Sequence, residues 1–353
     1  MNIFKITITP ISPFASPLQS DTIWGQCMWM IKFLKGENYL ISLLNEIKEN
    51  KKFFIVSSGF VNDEVLLPFI PLEIEKEKEL QNKFNTIKED YEKETGDKIQ
   101  KDSDFLFYLF MKKNKQKKMK INEIFKNTNL NIQQLYNLFD DKKIKYFISN
   151  IKNNKNKSSL ENKIQENISV IRNRINRLKN TVDIGALFDS YITFYAEQLH
   201  ITIYIKTDCF NIDELKDLFE NFGKYGYGAD SSIGKGLFKV IKIEQLQIEE
   251  NKSPNYILSL SNYIPDEKEV VLNESYYSVF LKQGKLGSEY SGGINGNTRS
   301  YVKVPLIMIK EGSLLKVKEN KQVYGKIITD VNKYNSNIIH SGQTFDIKLN
   351  LSN

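Results

Sequence analysis

The stretch Leu199-His200-Ile201-Thr202-Ile203-Tyr204-Ile205-Lys206 alternates apolar residues with polar, aromatic and basic ones, the period-two pattern of a strand with one greasy face. Just after it, Asn211 is placed to cap a helix. Asp213 and Glu214 in its first turn suit the helix dipole, and Ile212, Leu215, Leu218, Phe219 and Phe222 share one side. Gly223 is expected to end that helix. A glycine-rich loop then runs to Gly236, and residues 237–248 resume as a strand.

The same grammar holds upstream. Residues 2–9 place Phe4, Ile6 and Ile8 on one face and Lys5, Thr7 and Thr9 on the other, and Pro10 and Pro13 end that strand. Ser20 or Asp21 can cap a helix in which Ile23, Trp24, Cys27, Met28, Ile31 and Leu34 follow the helical period up to Gly36, so Cys27 reads as core. Residues 52–57 form a second strand candidate, followed by a turn-rich connection through Ser57-Ser58-Gly59 to Pro68 and Pro71. From about 73 to 180 the texture becomes charged, poor in glycine and free of proline, which predicts a helical insertion. Its lysine runs at 112–120 and 142–157 suit solvated loops or nucleic-acid contact.

Collected, the order strand, helix, strand, insertion, strand, helix, glycine loop, strand is a ferredoxin-like plan, and the fold class is α+β. Residues 1–250 are expected to form this domain, with the insertion at 73–180. Residues 251–353 form a second, β-rich domain, with strand candidates at 276–282, 301–310, 314–317, 324–328 and 344–349. A degenerate ferredoxin-like unit is one form it could take.

Composition narrows the function. The 353 residues hold 50 Lys or Arg against 43 Asp or Glu, a formal charge of +7 that points weakly towards an anionic partner. Such a length fits two to three domains with full cores. The apolar runs are too short to span a bilayer, and Met1-Asn2-Ile3-Phe4-Lys5-Ile6 alternates like a strand rather than a signal peptide, so a cytoplasmic location and no membrane partner are expected. Two cysteines (Cys27, Cys209) and two histidines (His200, His340) cannot build a cysteine-rich metal site, and neither Asp21 nor Asp230 has a second carboxylate nearby in sequence. No metal or cofactor is expected.

Two segments stand out. In Gly226-Tyr227-Gly228-Ala229-Asp230-Ser231-Ser232-Ile233-Gly234-Lys235-Gly236, close glycines permit positive φ and let N–H groups approach an anion, with Ser231, Ser232 and Lys235 adding contacts. It is not a Walker loop, because five residues separate Gly228 from Gly234 and Gly236 replaces the metal-binding hydroxyl. Nor is it a dinucleotide fingerprint, because it follows a helix and opens a strand. A phosphate-binding loop and a tightly turning connection both fit it. Arg172, Arg174 and Arg177 are three of only four arginines. In an extended segment Arg172 and Arg174 project the same way. Their guanidinium groups suit bidentate phosphate or base recognition, or else pair with acids such as Glu161 or Glu166. His200 can shuttle a proton, stack on a base or simply be solvated, and His340 sits at a turn with no obvious partner.

At this point the chain resembles the RAMP proteins of CRISPR systems, and among them the fourth Csm subunits (Cas-five group) of type III-A effector complexes. The resemblance is carried in order by Ser20-Asp21-Thr22-Ile23-Trp24-Gly25, Ser57-Ser58-Gly59-Phe60 with Leu67-Pro68, Arg174-Ile175-Asn176-Arg177 leading to Gly185-Ala186-Leu187-Phe188, the glycine loop, Ile309-Lys310-Glu311-Gly312-Ser313 and His340-Ser341-Gly342. The long insertion and Lys179-Asn180-Thr181 depart from the family pattern. The resemblance implies a non-catalytic subunit that grips the 5′ repeat-derived tag of the guide RNA and contacts a large Cas-ten subunit and a backbone subunit. The implied RNA-binding residues are Gly226, Gly228, Asp230, Ser231, Ser232, Gly234, Lys235, Gly236, Arg172, Arg174, Arg177, Ser20, Thr22, Lys5 and Tyr204, and Trp24 is a weaker member more suited to core. The alternative from the same superfamily is a guide-processing endoribonuclease, which typically carries a catalytic histidine near its first helix. No histidine precedes residue 200 here.

Replacing Arg174 and Arg177 with alanine is expected to weaken RNA binding and to flatten the plot of log affinity against log salt by about two units, the signature of two lost phosphate contacts. Binding titrations across a salt series check it.

Overall fold

The structure, a computed structural model, describes residues 1–67, 74–96, 98–99, 101–114, 118–131, 140–153, 164–176, 178–179, 181–266, 268–294 and 300–352. The expectations placed on Pro68, Pro71, Glu161, Arg177 and residues 154–157 of the second lysine run lie outside these. In chain order the first part holds β1 (Asn2–Pro10), α1 (Ser20–Lys35), α2 (Glu37–Lys48), β2 (Phe54–Val56), β3 (Phe60–Val61) and β4 (Glu64–Leu66). There follow α3 (Ile74–Thr95), α4 (Ser103–Asn114), β5 (Lys118–Lys120), α5 (Ile121–Lys126), β6 (Asn129–Asn131) and α6 (Asp141–Asn153). Then come β7 (Gln165–Asn176), β8 (Thr181–Tyr195), β9 (Ile201–Thr207), α7 (Ile212–Tyr225) and β10 (Phe238–Leu246). The tail holds β11 (Tyr256–Ser259), β12 (Val270–Tyr276), β13 (Val279–Lys282), β14 (Leu306–Ile309), β15 (Leu314–Val317), β16 (Ile327–Ile328), β17 (His340–Ser341) and β18 (Asp346–Ser352). No helix among them is long and apolar enough to cross a membrane.

The fold is mixed α+β with antiparallel sheets. The first sheet runs β10-β1-β9-β2, with β3 also on β9. Ile6 lies opposite Ile243 on one side and Ile203 on the other, and Lys5 lies opposite Tyr204. One face of this sheet, including Phe4, Ile6, Ile8, Ile203 and Ile205, packs against Ile23, Cys27 and Ile31 of α1 and Leu215, Phe219 and Phe222 of α7. The apolar stripes read from the sequence of α1 and α7 therefore meet one sheet face, except at Leu34 and Ile212, which are exposed.

One end of each helix departs from expectation, the start of α1 and the stop of α7. Ser20 is the first helical residue and Gln19 the cap, without a side-chain cap bond. The Ser20 hydroxyl is occupied elsewhere, accepting from the Asn262 N–H at 2.8 Å. In α7 the Asn211 side chain accepts from the N–H groups of Asp213 and Glu214, and Glu214 answers to the Asn211 N–H, a full capping box. Gly223 does not stop this helix, which runs two residues further to Tyr225. A Cβ at 223 would lie 2.3 Å from the Phe238 carbonyl, so its glycine serves close approach of helix to strand.

The largest departure concerns the sheet's other face. All seven residues of β9 are buried, not every second one. A second sheet, β12-β15-β11-β18-β6, and the insertion cover this face, gathering Tyr204, Ile55, Leu258, Leu260, Phe345 and Ile347 with the insertion's Leu80, Phe84, Phe110 and Ile148. Phe84 and Phe147 flank Phe110 at ring distances of 5.4 and 5.3 Å. The insertion is also less helical than its composition suggested. Its β6 joins the second sheet parallel to β18, and residues 165–176, inside the span expected to be helical, pair with 181–195 as a long hairpin. The Ile168 and Val170 alternation carries a β preference that the surrounding Lys/Glu texture masks.

Because Tyr204 is fully buried between the two sheets, Tyr204→Ala is expected to lower the unfolding free energy by about 3–5 kcal/mol, as large-to-small core changes do. Urea denaturation followed by circular dichroism measures it.

Candidate nucleic-acid interface

The glycine loop is built around Tyr227. Its ring is buried against Phe14 and Phe222. The hydroxyl donates to the Pro17 carbonyl at 2.5 Å and accepts from the Gln19 N–H at 3.1 Å. The backbone folds tightly over this plug, with Tyr227 N–H donating to the Gly236 carbonyl at 2.9 Å. At Gly236, φ is +72° and a Cβ would lie 2.1 Å from the Tyr227 carbonyl, so no other residue fits there.

Most of the loop's N–H groups are bound within the chain. Gly226 donates to Phe222 O, Gly228 to Gln26 Oε1, Ala229 to Ser16 Oγ, Gly236 to Pro13 O and Leu237 to Ser12 Oγ, all at 2.9–3.0 Å. A row of glycine N–H groups free to hold phosphates is therefore not what the loop presents. Among the described residues, the N–H groups of Asp230, Ser231 and Ser232 make no hydrogen bond to another part of the chain. Ser232, Ile233 and Gly234 form its exposed rim.

Arg172 of β7 reaches this loop. Its Nη1 lies 2.8 Å from Asp230 Oδ2, and Lys235 Nζ lies 3.7 Å from the same oxygen. The two segments singled out in the sequence thus meet through one carboxylate, which belongs to the loop and not to the insertion. Arg174 lies on the same strand, with its side chain outside what the structure describes. The hairpin that brings Arg172 here exposes Ile171, Leu187, Phe188 and Tyr191.

The other expected contacts lie elsewhere. Lys5 Nζ is 3.0 Å from Asp63 Oδ2, and the Tyr204 hydroxyl donates to Asp63 Oδ1 at 2.5 Å, in the buried seam behind the sheet. Burial, reinforced by the Asp63 carboxylate, pushes the Tyr204 phenol well above its usual range. Lys5 and Tyr204 therefore face protein. Ser20 is buried, and Thr22 Oγ1 accepts from Lys282 at 3.0 Å. Trp24 is core, donating from Nε1 to the Phe54 carbonyl. His200 is exposed immediately before β9, not within it.

No protein-family model and no curated protein matches the chain. Among solved structures, a chain of the Csm3–Csm4 subcomplex in the type III-A CRISPR-Cas interference complex aligns over 99% of this chain and 100% of its own, at 16% identity and a TM-score of 0.50. The chain shares that fold. A chain of the Csm1–Csm4 cassette in complex with pppApA covers 100% of this chain and 99% of its own, at 14% identity and a TM-score of 0.48.

Sequence reasoning missed a buried polar cluster at the start of α1. Asp21 accepts from Asn262 Nδ2 and pairs with Lys282, both at 2.9 Å, and Lys282 also donates to Gln19 Oε1 at 2.6 Å. Burial pushes the Asp21 carboxyl up, but Lys282, His340 and the Asn262 hydrogen bond together hold it below its ordinary value. Burial drives Lys303 down to about 8, with its ammonium donating to the Ile339 carbonyl at 3.0 Å. His340 is pushed down to about 4 by burial and by the Lys303 charge. No local signal marks this cluster, since Asn262 and Lys282 lie more than 240 residues along the chain from Asp21.

Between about pH 6.5 and 4 the unfolded chain takes up a proton that the folded chain, with His340 held neutral, does not. Stability therefore falls as pH drops through that window, by about 2–3 kcal/mol at its lower end. Urea midpoints at pH 7 and 4.5 test this, and His340→Gln is expected to remove that share of the difference.

Proposed function

We propose that the chain is a non-catalytic subunit of a type III-A CRISPR effector complex, with a ferredoxin-like first domain that holds the 5′ repeat-derived tag of the guide RNA. In this reading it joins a large Cas-ten subunit to the first backbone subunit. The observation that carries the reading is the meeting of Arg172 with the glycine loop beside the exposed Ser232–Gly234 rim, on a fold shared over its whole length with a chain of a Csm3–Csm4 subcomplex.

The sheet order β10-β1-β9-β2, with α1 and α7 on one face, supports the ferredoxin-like description. RNA recognition of this kind rests on backbone contacts that position a single strand and on side chains that stack or pair with splayed bases. Arg172, Lys235, Ser231 and Ser232 supply charge and hydroxyl donors of the first sort. Phe188 and Tyr191 on the hairpin offer exposed rings for the second. The tag-binding role is assigned to this surface and not to Lys5, Tyr204 or Ser20, which are enclosed.

A non-catalytic role suits His340. His340 is sealed in the polar cluster with its pKa at about 4, which leaves it neutral and out of reach of a substrate.

When the chain is expressed with its genomic neighbours and the complex is purified, the bound RNA is expected to share one short sequence at its 5′ ends. Sequencing those ends tests the reading, and random 5′ ends overturn it. Purified alone, the chain is expected to leave repeat RNA uncut.

A further inference from the structure

We propose that Asp230 occupies, in the free chain, the position of an RNA phosphate between Arg172 and Lys235, so that binding exchanges an internal carboxylate for a phosphodiester that bridges the same two cations. This rests on the reading of the surface as an RNA interface and assigns Asp230 the opposite role from a contact residue. It is a displaceable mimic of the ligand.

Four observations support the exchange. Arg172 and Lys235 converge on a single oxygen, Asp230 Oδ2, at 2.8 and 3.7 Å, so the guanidinium fork keeps donors for a bidentate acceptor. Among the described residues the carboxylate pairs with these two cations, and it makes no capping bond to the short 3-10 turn Ser231–Ile233 that follows it. The backbone of Asp230 is held independently of its side chain. It sits in the left-handed region (φ 64°, ψ 17°), and its carbonyl accepts from the N–H groups of Ile233 at 3.1 Å and Lys235 at 3.3 Å. The carboxylate can therefore swing away without unravelling the loop.

The fourth observation is access. Roughly a quarter of the Arg172 and Asp230 side-chain surfaces is open to solvent, so a strand laid along the rim can reach them. An ion pair this exposed is weak and screened by salt. A phosphodiester carries the same single negative charge as the carboxylate, so the exchange leaves both cations paired.

The exchange predicts that removing the mimic strengthens binding. With the full chain and a 5′-labelled single-stranded RNA followed by fluorescence anisotropy, Asp230→Asn is expected to bind about two- to fivefold more tightly than the unaltered chain, the range set by an exposed ion pair. Arg172→Ala is expected to bind more weakly, and Asp230→Asn to tighten binding less in that background than in the unaltered chain, because the carboxylate then masks only Lys235. In the RNA-free Asp230→Asn protein, amides of residues 165–176 are expected to exchange faster. Asn tolerates the left-handed conformation. If that variant loses its fold by circular dichroism, Asp230→Gly carries the same test. Unchanged or weaker binding by the charge-free variant, beside normal binding by the unaltered chain, overturns the exchange and leaves the RNA reading intact. Absence of binding by the unaltered chain overturns both.

Discussion

Burial of the central strand β9 on both faces is the constraint on which the rest of the structure depends. A strand with Thr202, Tyr204 and Lys206 on one side would ordinarily turn that side to water. Here the second sheet and the insertion close over it, so each polar group must find a partner inside. The joint is sewn by hydroxyls. Ser57 Oγ accepts from the Tyr204 N–H, Ser58 N–H donates to the Leu260 carbonyl, and Ser261 Oγ bridges the Val56 carbonyl and the Phe345 N–H. These small side chains let the backbone edges of the two units approach while satisfying groups that neither sheet pairs by itself.

Charge follows the same logic. Lys206 is buried and lies 2.9 Å from Glu250 and 3.7 Å from Asp346, while Lys348 contacts the other Glu250 oxygen at 2.6 Å. Burial pushes the Asp346 carboxyl up, opposed chiefly by Lys206. Lys5 and Tyr204 share Asp63 in the same seam. Such groups add little net stability, because desolvation offsets attraction. They do penalise any other docking of the second sheet on the first, since each shift would strand a charge away from its partner. The cluster of Asp21, Lys282 and Asn262 does the same at the start of α1.

What was legible in the sequence follows from which forces are local. The stripe of α1 as far as Ile31, the Asn211 cap of α7, and the alternation of β1 are each settled within a few residues, and the structure agrees. Lys5 and Tyr204 looked solvent-facing because alternation reports that a strand has two chemistries, not what covers the second. The covering residues, such as Phe345 and Leu260, lie 56 or more residues away along the chain. Gly236 was legible as a turn residue, whereas the internal use of the loop's N–H groups was not, because their acceptors Ser12, Pro13, Ser16 and Gln26 come from the far end of the chain. The hairpin was hidden by the lysine-rich texture around it.

That hairpin is where fold and function join. A two-stranded ribbon is marginal in isolation, and this one exposes apolar side chains that no described residue covers. Its order comes from its anchors. At the base, Phe14 and Thr193 exchange backbone hydrogen bonds at 2.9 and 2.8 Å, and the Phe14 ring meets Tyr195 edge-on at 5.4 Å. Further out, Arg172 holds it to the loop through Asp230. The base is thus fixed by backbone and core, while the outer hold among the described residues includes this solvent-reachable ion pair. A ligand acting at that pair changes the freedom of the ribbon without disturbing the sheets, because the two anchors draw on different interactions.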